Sequence, residues 1–486
     1  MINSQSPALR YKLKPYAHQQ KALDLSLNMV DYALFMDMGT GKTKVFIDTA
    51  LNLYLQGKID AVILLAPKGV YMNWVDIELP KHWPEDVPCS VSYWSSNANG
   101  ELQQEWKALQ RFKGLRWLCV NVEALAYERG LKFCGEFAVM HKGRFLMGVD
   151  ESTMIKNISA GRTKAAIRIG KLAAYRRIMT GDAAPKAPTD LYAQCMFLNQ
   201  SILGFSSYYA FRNRYCIMKE MKLQNGRSFM NITGYQRLDE LQRHLKGFSY
   251  RVTKDECLDL PPKIYQSYDV ELTKEQDKIY KQMKSQCVAV LENMEVITAE
   301  LALEQLLRLH QITCGHVKTD SGELMRIPNK RLDALMEVIE GMSGKVIIWA
   351  TYVPNIEEIV AKLREEFGNN SVVHFYGGTS DEARRDAVKR FQEDDACRFF
   401  VGNPSTGRYG LTLTASPNVV YYSNNYNLEH RTQSEDRAHR IGQVSKVNIV
   451  DLVARKTVDE KIIKALLQKK QISALVMGDE WKDWIR

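Results

Sequence analysis

The sequence predicts an α/β fold in two halves, each built on a parallel sheet flanked by helices, and three observations carry that expectation. Short apolar runs alternate with helix-period segments on both sides of residue 250, which is the pattern of βαβ units. Several of these runs end on polar or glycine-rich residues: Tyr32-Ala33-Leu34-Phe35, Phe145-Leu146-Met147-Gly148-Val149 and Val346-Ile347-Ile348-Trp349-Ala350. Parallel strands deliver functional loops at their carboxyl ends in this way. Finally, 486 residues with 45% hydrophobic content are enough for two or three buried cores.

The first element with chemistry follows the first run. Met36-Asp37-Met38-Gly39-Thr40-Gly41-Lys42-Thr43 lies between a strand and the helix-like Lys44-Val45-Phe46-Ile47. Gly39 and Gly41 allow backbone N–H groups to approach phosphates, Lys42 adds a point charge, and Thr43 is placed to ligate Mg²⁺ at a helix N-terminus. Met38, Gly39, Thr40, Gly41, Lys42 and Thr43 are therefore the expected ATP-binding loop. Met36 stands where such a loop usually begins with a small residue, so its side chain must point away from the nucleotide.

The second element is Asp150-Glu151 at the end of the run that starts at Phe145. An acid pair at that position suits Asp150 holding Mg²⁺ through water and Glu151 orienting and deprotonating the attacking water. The third is Gln433-Ser434-Glu435-Asp436-Arg437-Ala438-His439-Arg440-Ile441-Gly442-Gln443. It sets Arg437 and Arg440 at i, i+3 spacing, expected on one helix face, where two planar guanidiniums suit the charge of a phosphoryl group in transfer. His439 between them belongs to no visible triad or metal spacing.

With these sites in order, the chain resembles the Swi/Snf-like branch of helicase superfamily two, ATP-driven translocases on double-stranded DNA, of a minimal bacteriophage or bacterial type. The resemblance runs nearly end to end. Leu13-Lys14-Pro15-Tyr16-Ala17-His18-Gln19 is similar to the family's entry segment, which implies that Gln19 reads the adenine edge. Leu64-Leu65-Ala66-Pro67-Lys68, closing with Asn73-Trp74, and Val120-Asn121-Val122-Glu123-Ala124-Leu125 resemble segments that face the DNA backbone. Asp150-Glu151-Ser152-Thr153 stands where the family usually has Asp-Glu-Ala-His, and Ile155-Lys156-Asn157 follows it.

Ile178-Met179-Thr180-Gly181-Asp182-Ala183-Ala184-Pro185 resembles the coupling motif, usually Thr-Gly-Thr-Pro. Arg251-Val252-Thr253-Lys254-Asp255 to Leu260-Pro261-Pro262-Lys263 resembles the join between lobes. Leu306-Leu307-Arg308-Leu309-His310-Gln311-Ile312 resembles a helical insertion, and Gly407-Arg408-Tyr409-Gly410-Leu411-Thr412-Leu413-Thr414 the segment linking DNA grip to ATP state. The resemblance implies two RecA-like lobes with an ATP cleft between them. It implies that Gly410 joins the ATP contacts and that Thr180, Gly181, Asp182 and Gln433 couple hydrolysis to movement. Pro67, Lys68, Asn121, Lys156, Asn157, Thr351 and Thr414 are the implied DNA contacts.

The expected organisation is lobe 1 over 1–250 with a helical insertion at about 190–250, a linker at 251–265, and lobe 2 over 266–486. Lobe 2 is expected to hold a helical insertion at about 273–325, a core at about 330–455 and a C-terminal helix at about 457–486. That helix packs on one lobe or braces both. The length leaves no room for an appended nuclease or zinc module.

The net charge is +10, a modest excess whose clustering is more informative than its size. Lys156, Arg162, Lys164, Arg168, Lys171, Arg176 and Arg177 form one cluster, and Arg212, Arg214, Lys219, Lys222 and Arg227 another. Both are candidates for neutralising phosphates without reading sequence. Nine scattered cysteines without a Cys-x-x-Cys pair argue against disulfide or zinc frameworks, and Cys119 is expected to pack as a small apolar residue. Trp74, Trp94 and Trp349 border apolar segments and are expected in cores. With no apolar run long enough for a membrane span and no signal-peptide core at Met1–Arg10, the expectation is a soluble monomer in the cytoplasm of a bacterial or phage-infected cell.

The function expected is an ATPase that tracks on double-stranded DNA with ATP and Mg²⁺, with branched DNA or DNA-bound proteins as further targets. Two alternatives stay open: a strand-separating DNA or RNA helicase, and a weakly hydrolysing ATP-gated DNA clamp or scaffold suggested by Asp182, Ala183 and the absence of the family's histidine after Asp150-Glu151.

Overall fold

The structure, a computed structural model, describes residues 9–68, 70–222, 228–293, 299–318, 322–408 and 411–477. Gly410, Tyr409 and Arg227 of the expectations above lie outside the described residues. The chain divides into two compact units, one of Met1–Cys216, Tyr235–Asp259 and Ile472–Glu480, the other of Ile217–Gly234, Leu260–Gln471 and Trp481–Arg486.

The first unit holds β1 (Asp31–Met36), β2 (Ala61–Ala66), β3 (Cys89–Tyr93), β4 (Leu115–Asn121), β5 (Phe145–Asp150), β6 (Tyr175–Met179) and, after the two-stranded sheet of β7 (Cys216–Lys222) and β8 (Ser228–Tyr235) whose residues 217–234 belong to the second unit, β9 (Ser249–Val252). The main sheet has the order β3-β4-β2-β5-β6-β1-β9, and its strand pairs are parallel. Side chains alternate between two cores: Ala33 and Phe35 of β1 with Ile63 and Leu65 of β2 on one face, Leu34 and Met36 with Val62 and Leu64 on the other. Burial on both faces is why these strands read as unbroken apolar runs. Val476 and Met477 complete the first of these cores.

The second unit carries β10 (Lys263–Val270), the small pair β11 (His316–Lys318) and β12 (Leu324–Arg326), then β13 (Val346–Trp349), β14 (Val372–Phe375), β15 (Phe399–Gly402), β16 (Asn418–Tyr421) and β17 (Val447–Ala454). Its six-stranded sheet has the order β10-β17-β16-β13-β15-β14, again with parallel pairs. The α/β fold with two parallel sheets flanked by helices is thus the observed architecture. The helices Lys274–Asn293 and Ala299–Thr313 join a separate small core with Val458, Ile462 and Leu466 of the helix Val458–Met477.

Two stretches differ from expectation. The segment expected to be helical at 190–250 also contains β7 and β8, whose β-branched and aromatic residues, such as Phe229, Ile232 and Tyr235, favour strand. The stretch 251–265, expected as linker, is strand at both ends, where β9 and β10 pair into the two sheets. No helix among the described residues is long and apolar enough to cross a membrane.

Candidate active site

The expected phosphate loop leaves β1 directly and closes into the helix Lys42–Leu55. Gly39 has φ 81° and Gly41 φ 90°, a left-handed backbone that glycine adopts at little cost. Gly41 is also enclosed: a Cβ there would lie 2.2 Å from Gln19 Nε2. The loop is held by the Thr40 hydroxyl, which donates to Asp37 O at 2.8 Å. Lys42 is buried, and its ammonium donates to Met36 O at 2.7 Å and Asp37 O at 3.1 Å, which sets the charge at the carboxyl end of β1. The first N–H groups of the helix it opens favour anions. Met36 points into the core beside Leu34 and Val45, so the bulky residue leaves the loop clear.

Gln19 and His18 support this loop from the helix Ala17–Ser26. The Gln19 amide accepts from Tyr16 N at 3.0 Å and donates to Thr40 O at 3.1 Å, while a His18 ring nitrogen bonds the same Thr40 carbonyl at 2.7 Å. Gln19, expected at an adenine edge, is engaged in bracing the loop. His18 was not singled out by the sequence; its only signal was adjacency to Gln19.

The acid pair ends β5, whose register sets Asp150 opposite Met179 of β6, itself opposite Leu34 of β1. The loops that follow all three strands thus leave the same, carboxyl-terminal end of the sheet. Asp150 is buried, with Oδ2 accepting from the Trp74 indole at 2.9 Å and Oδ1 from Glu151 N at 3.0 Å. Burial raises its pKa, opposed by the Trp74 hydrogen bond and then by the Lys42 charge. Glu151 adopts φ 47°, ψ 60°, strain for a non-glycine residue of the kind that collects at active sites. Asp150 and the Thr43 hydroxyl are hard oxygen donors of the type that suits a divalent cation keeping several waters, so the residues present fit Mg²⁺.

The Thr180–Asp182 segment packs against the phosphate loop: a Cβ on Gly181 would lie 3.3 Å from Met38 N. Arg251 ties them together, donating to Gly181 O at 2.9 Å and Phe35 O at 3.2 Å and pairing with Asp37 at 2.9 Å. Sequence reasoning took Arg251 as part of the linker. Asp182 Oδ1 accepts from Ala184 N at 3.1 Å and from the Ser473 hydroxyl at 2.5 Å. Ser152, standing where the family has alanine, donates to Gln194 Oε1 at 2.7 Å, and Gln194 Nε2 donates to Ala183 O at 2.7 Å. The acid segment and the coupling segment are therefore joined through one buried amide.

Of the candidate DNA contacts in this unit, Lys68 and Asn157 are exposed, Asn121 and Lys156 half-buried, and Pro67 buried. Asn157 Oδ1 accepts from Ser159 N at 3.0 Å and its hydroxyl at 2.7 Å, and Lys156 lies 3.8 Å from Asp190. The basic clusters are thinner than they read. Arg177 is fully buried and donates to the carbonyls of Ser26, Met29, Val30 and Arg176, Arg176 pairs with Asp31, and Arg214 with Glu240. Lys164, Arg168, Lys171 and Lys219 remain exposed. Trp74, Trp94 and Trp349 are core residues, and Trp74, read as closing a DNA-facing segment, is turned inward to Asp150.

In the second unit the arginine pair departs from the expected single helix face. The helix Leu428–Ala438 ends before Arg440, because Gln443 Nε2 donates to Ala438 O at 3.2 Å and so satisfies a terminal carbonyl. His439 Nε2 meets Pro261 O at 2.8 Å beyond that end. The two arginines still converge on one segment: Arg437 Nη1 donates to Leu411 O at 3.4 Å and Arg440 Nη1 to Thr412 Oγ1 at 3.3 Å. Gln433 is buried on the same helix, 3.4 Å from Glu429. Beneath the helix a buried network fixes it: Arg431 bonds Glu435 and Asp451, and Lys263 and Tyr265 bond Glu435 at 3.0 and 2.8 Å. Burial pushes the Glu435 carboxyl up, but Lys263 and Arg431 outweigh it and hold it well below the usual carboxylate range. Thr351, at the end of β13, bonds Ser423 through N at 2.9 Å and Oγ1 at 3.2 Å. Thr414 Oγ1 accepts from Gln392 at 3.4 Å.

Comparison with known proteins bears on the whole chain. Residues 18–317 match the model of the SNF2-related domain and residues 330–442 that of the helicase conserved C-terminal domain. The protein YwqA of Bacillus subtilis, whose name describes an ATP-dependent helicase/translocase, is 26% identical over 499 residues, covering 99% of this chain and 50% of its own length. The DNA annealing helicase and endonuclease ZRANB3 of Bos taurus is 25% identical, covering 97% of this chain and 41% of its own. The chain therefore spans half or less of the length of these relatives. The SWI2/SNF2 ATPase core of Sulfolobus solfataricus in complex with dsDNA is 24% identical, with 96% of each chain covered and a TM-score of 0.41.

Proposed function

The chain belongs to the SNF2-related family, and from that premise we propose that it is an ATP-driven motor that tracks on double-stranded DNA. The observation that supports this best is the gathering of the phosphate loop, the Asp150-Glu151 pair and the Thr180–Asp182 segment at the carboxyl ends of the first sheet's strands, tied by Arg251 and Gln194. Phosphoryl transfer needs little more than such positioning and charge.

In this reading Lys42 and the loop N–H groups hold the phosphates, and Thr43 and Asp150 hold Mg²⁺. Bound Mg²⁺ supplies neutralisation of phosphate oxygens. Glu151 orients the attacking water and takes its proton, and Arg437 and Arg440 stabilise charge on the transferred group when nucleotide is bound. Lys68, Asn121, Lys156 and Asn157 from one unit and Thr351 and Thr414 from the other grip the DNA backbone, which makes binding salt-dependent and little dependent on sequence. The names of the relatives, an ATP-dependent helicase/translocase and a DNA annealing helicase, support DNA as the track, and branched DNA is a further target within this reading.

Displacement of a triplex-forming strand tests tracking against strand separation. The reading expects ATP-dependent release of the third strand from an intact duplex, without unwinding of a forked duplex. Unwinding of the fork without triplex release would favour the strand-separating alternative instead.

A further inference from the structure

We propose that Trp74 is the positioning residue for the Asp150 carboxylate, fixing it to receive its divalent cation. The proposal rests on the reading of Asp150 as the residue that holds Mg²⁺. Trp74 lies 76 positions from Asp150, is 1% exposed, and donates its indole N–H to Oδ2 at 2.9 Å. The Glu151 amide donates to the other oxygen at 3.0 Å. Two donors on opposite oxygens set the plane of the carboxylate, and hydrogen bonding to the charged form offsets part of the cost of burying it.

The indole is itself held. It opens a π-helical turn, Trp74–Glu78, a rare geometry often found at functional sites. On its flank Phe46 packs edge-on with centroids 5.9 Å apart. Phe46 in turn fills the space above Gly148, where a Cβ would lie 2.4 Å from its ring. The chain of contacts thus runs from the helix after the phosphate loop, through Phe46 and Trp74, to the carboxylate at the end of β5. Trp can donate but not accept through its ring nitrogen, so it neither ligates the cation nor relays a proton. Its contribution is orientation.

The test is the Mg²⁺ dependence of binding of a fluorescent ATP analogue to the full chain, measured for the native protein, Trp74→Phe and Trp83→Phe. Trp83 sits in the same core and donates to Val87 O at 2.9 Å, so its variant reports the loss of an indole's packing and hydrogen bond in that core without touching Asp150. Replacing an outer hydrogen-bond partner of a metal-holding residue typically costs about 10- to 100-fold in metal affinity. The Mg²⁺ concentration for half-maximal binding is therefore expected to rise about tenfold or more in Trp74→Phe. Binding in excess EDTA, and the Mg²⁺ dependence of Trp83→Phe, are expected to stay at their native values. A benzothienylalanine at position 74, which keeps the ring shape and lacks the N–H, is expected to reproduce the shift even where Trp74→Phe folds poorly. Native Mg²⁺ dependence in the folded isostere overturns the positioning role and leaves the cation site standing. Absence of any Mg²⁺ dependence in the native protein overturns both.

Discussion

Gly41 shows how narrowly the nucleotide loop is specified. Its backbone is left-handed and its Cα faces the Gln19 amide, so an added methyl meets strain and a clash together. Gly41→Ala is expected to cost about 1–3 kcal/mol of stability and to abolish nucleotide binding, as read by thermal unfolding with and without ATP. Glu151→Gln makes the opposite separation. It keeps the shape but removes the proposed base, so ATP binding is expected to persist while hydrolysis falls by at least about 100-fold in single-turnover measurements. Asp182 is the departure from the coupling motif that motivated the clamp alternative. Its carboxylate serves the local fold through Ala184 N and Ser473. Asp182→Ala is expected to lower stability by about 1–3 kcal/mol and to leave the ATP dissociation constant at its native value; a weakened affinity for ATP would place the carboxylate at the nucleotide instead.

Among the elements, those whose character is local were legible in the sequence. β2 and β13 are continuous apolar runs, and the glycine loop is continuous in sequence, so Lys42 is legible at the start of a helix and Asp150-Glu151 at the end of a strand. What escaped notice depends on contacts distant in sequence. Nothing in Arg-Ala-His-Arg ends a helix, and the stop at Ala438 comes from the Gln443 amide folding back. Trp74 read as a core residue because its indole partner is 76 positions away, and Arg251 read as linker because the carbonyl it binds belongs to Gly181. The helical elements of the second unit also carry a pH signature. Burial holds His310 at about 4, below the 6.5 of an ordinary imidazole, with Asp459 opposing and Arg331 reinforcing. The unfolded chain takes up this proton first, so the contribution is whole above pH 6.5 and drains as pH falls toward 4. The slope is about 1.4 kcal/mol per pH unit across that window. Urea midpoints measured from pH 7 to pH 4 are expected to fall, and His310→Gln to flatten that part of the fall.

For the molecule as a whole, the net charge of +10 says less about DNA than the position of the charges. Arg176, Arg177 and Arg214 are committed to internal partners, which among the described residues of the two clusters leaves Lys164, Arg168 and Lys171 exposed in the first unit and Lys219 in the second, with Lys68 exposed in its own loop. The structure accounts for how the loop at residues 39–43, the Asp150-Glu151 pair and the arginines Arg437 and Arg440 are each braced. The most direct test of the DNA-tracking ATPase is steady-state ATP hydrolysis by the full chain with duplex DNA, single-stranded DNA, RNA or no nucleic acid. Strong stimulation by duplex DNA, lost in Lys42→Ala and in Arg437→Ala, is the predicted result. Hydrolysis equal with and without DNA, or unchanged in either variant, would contradict the account.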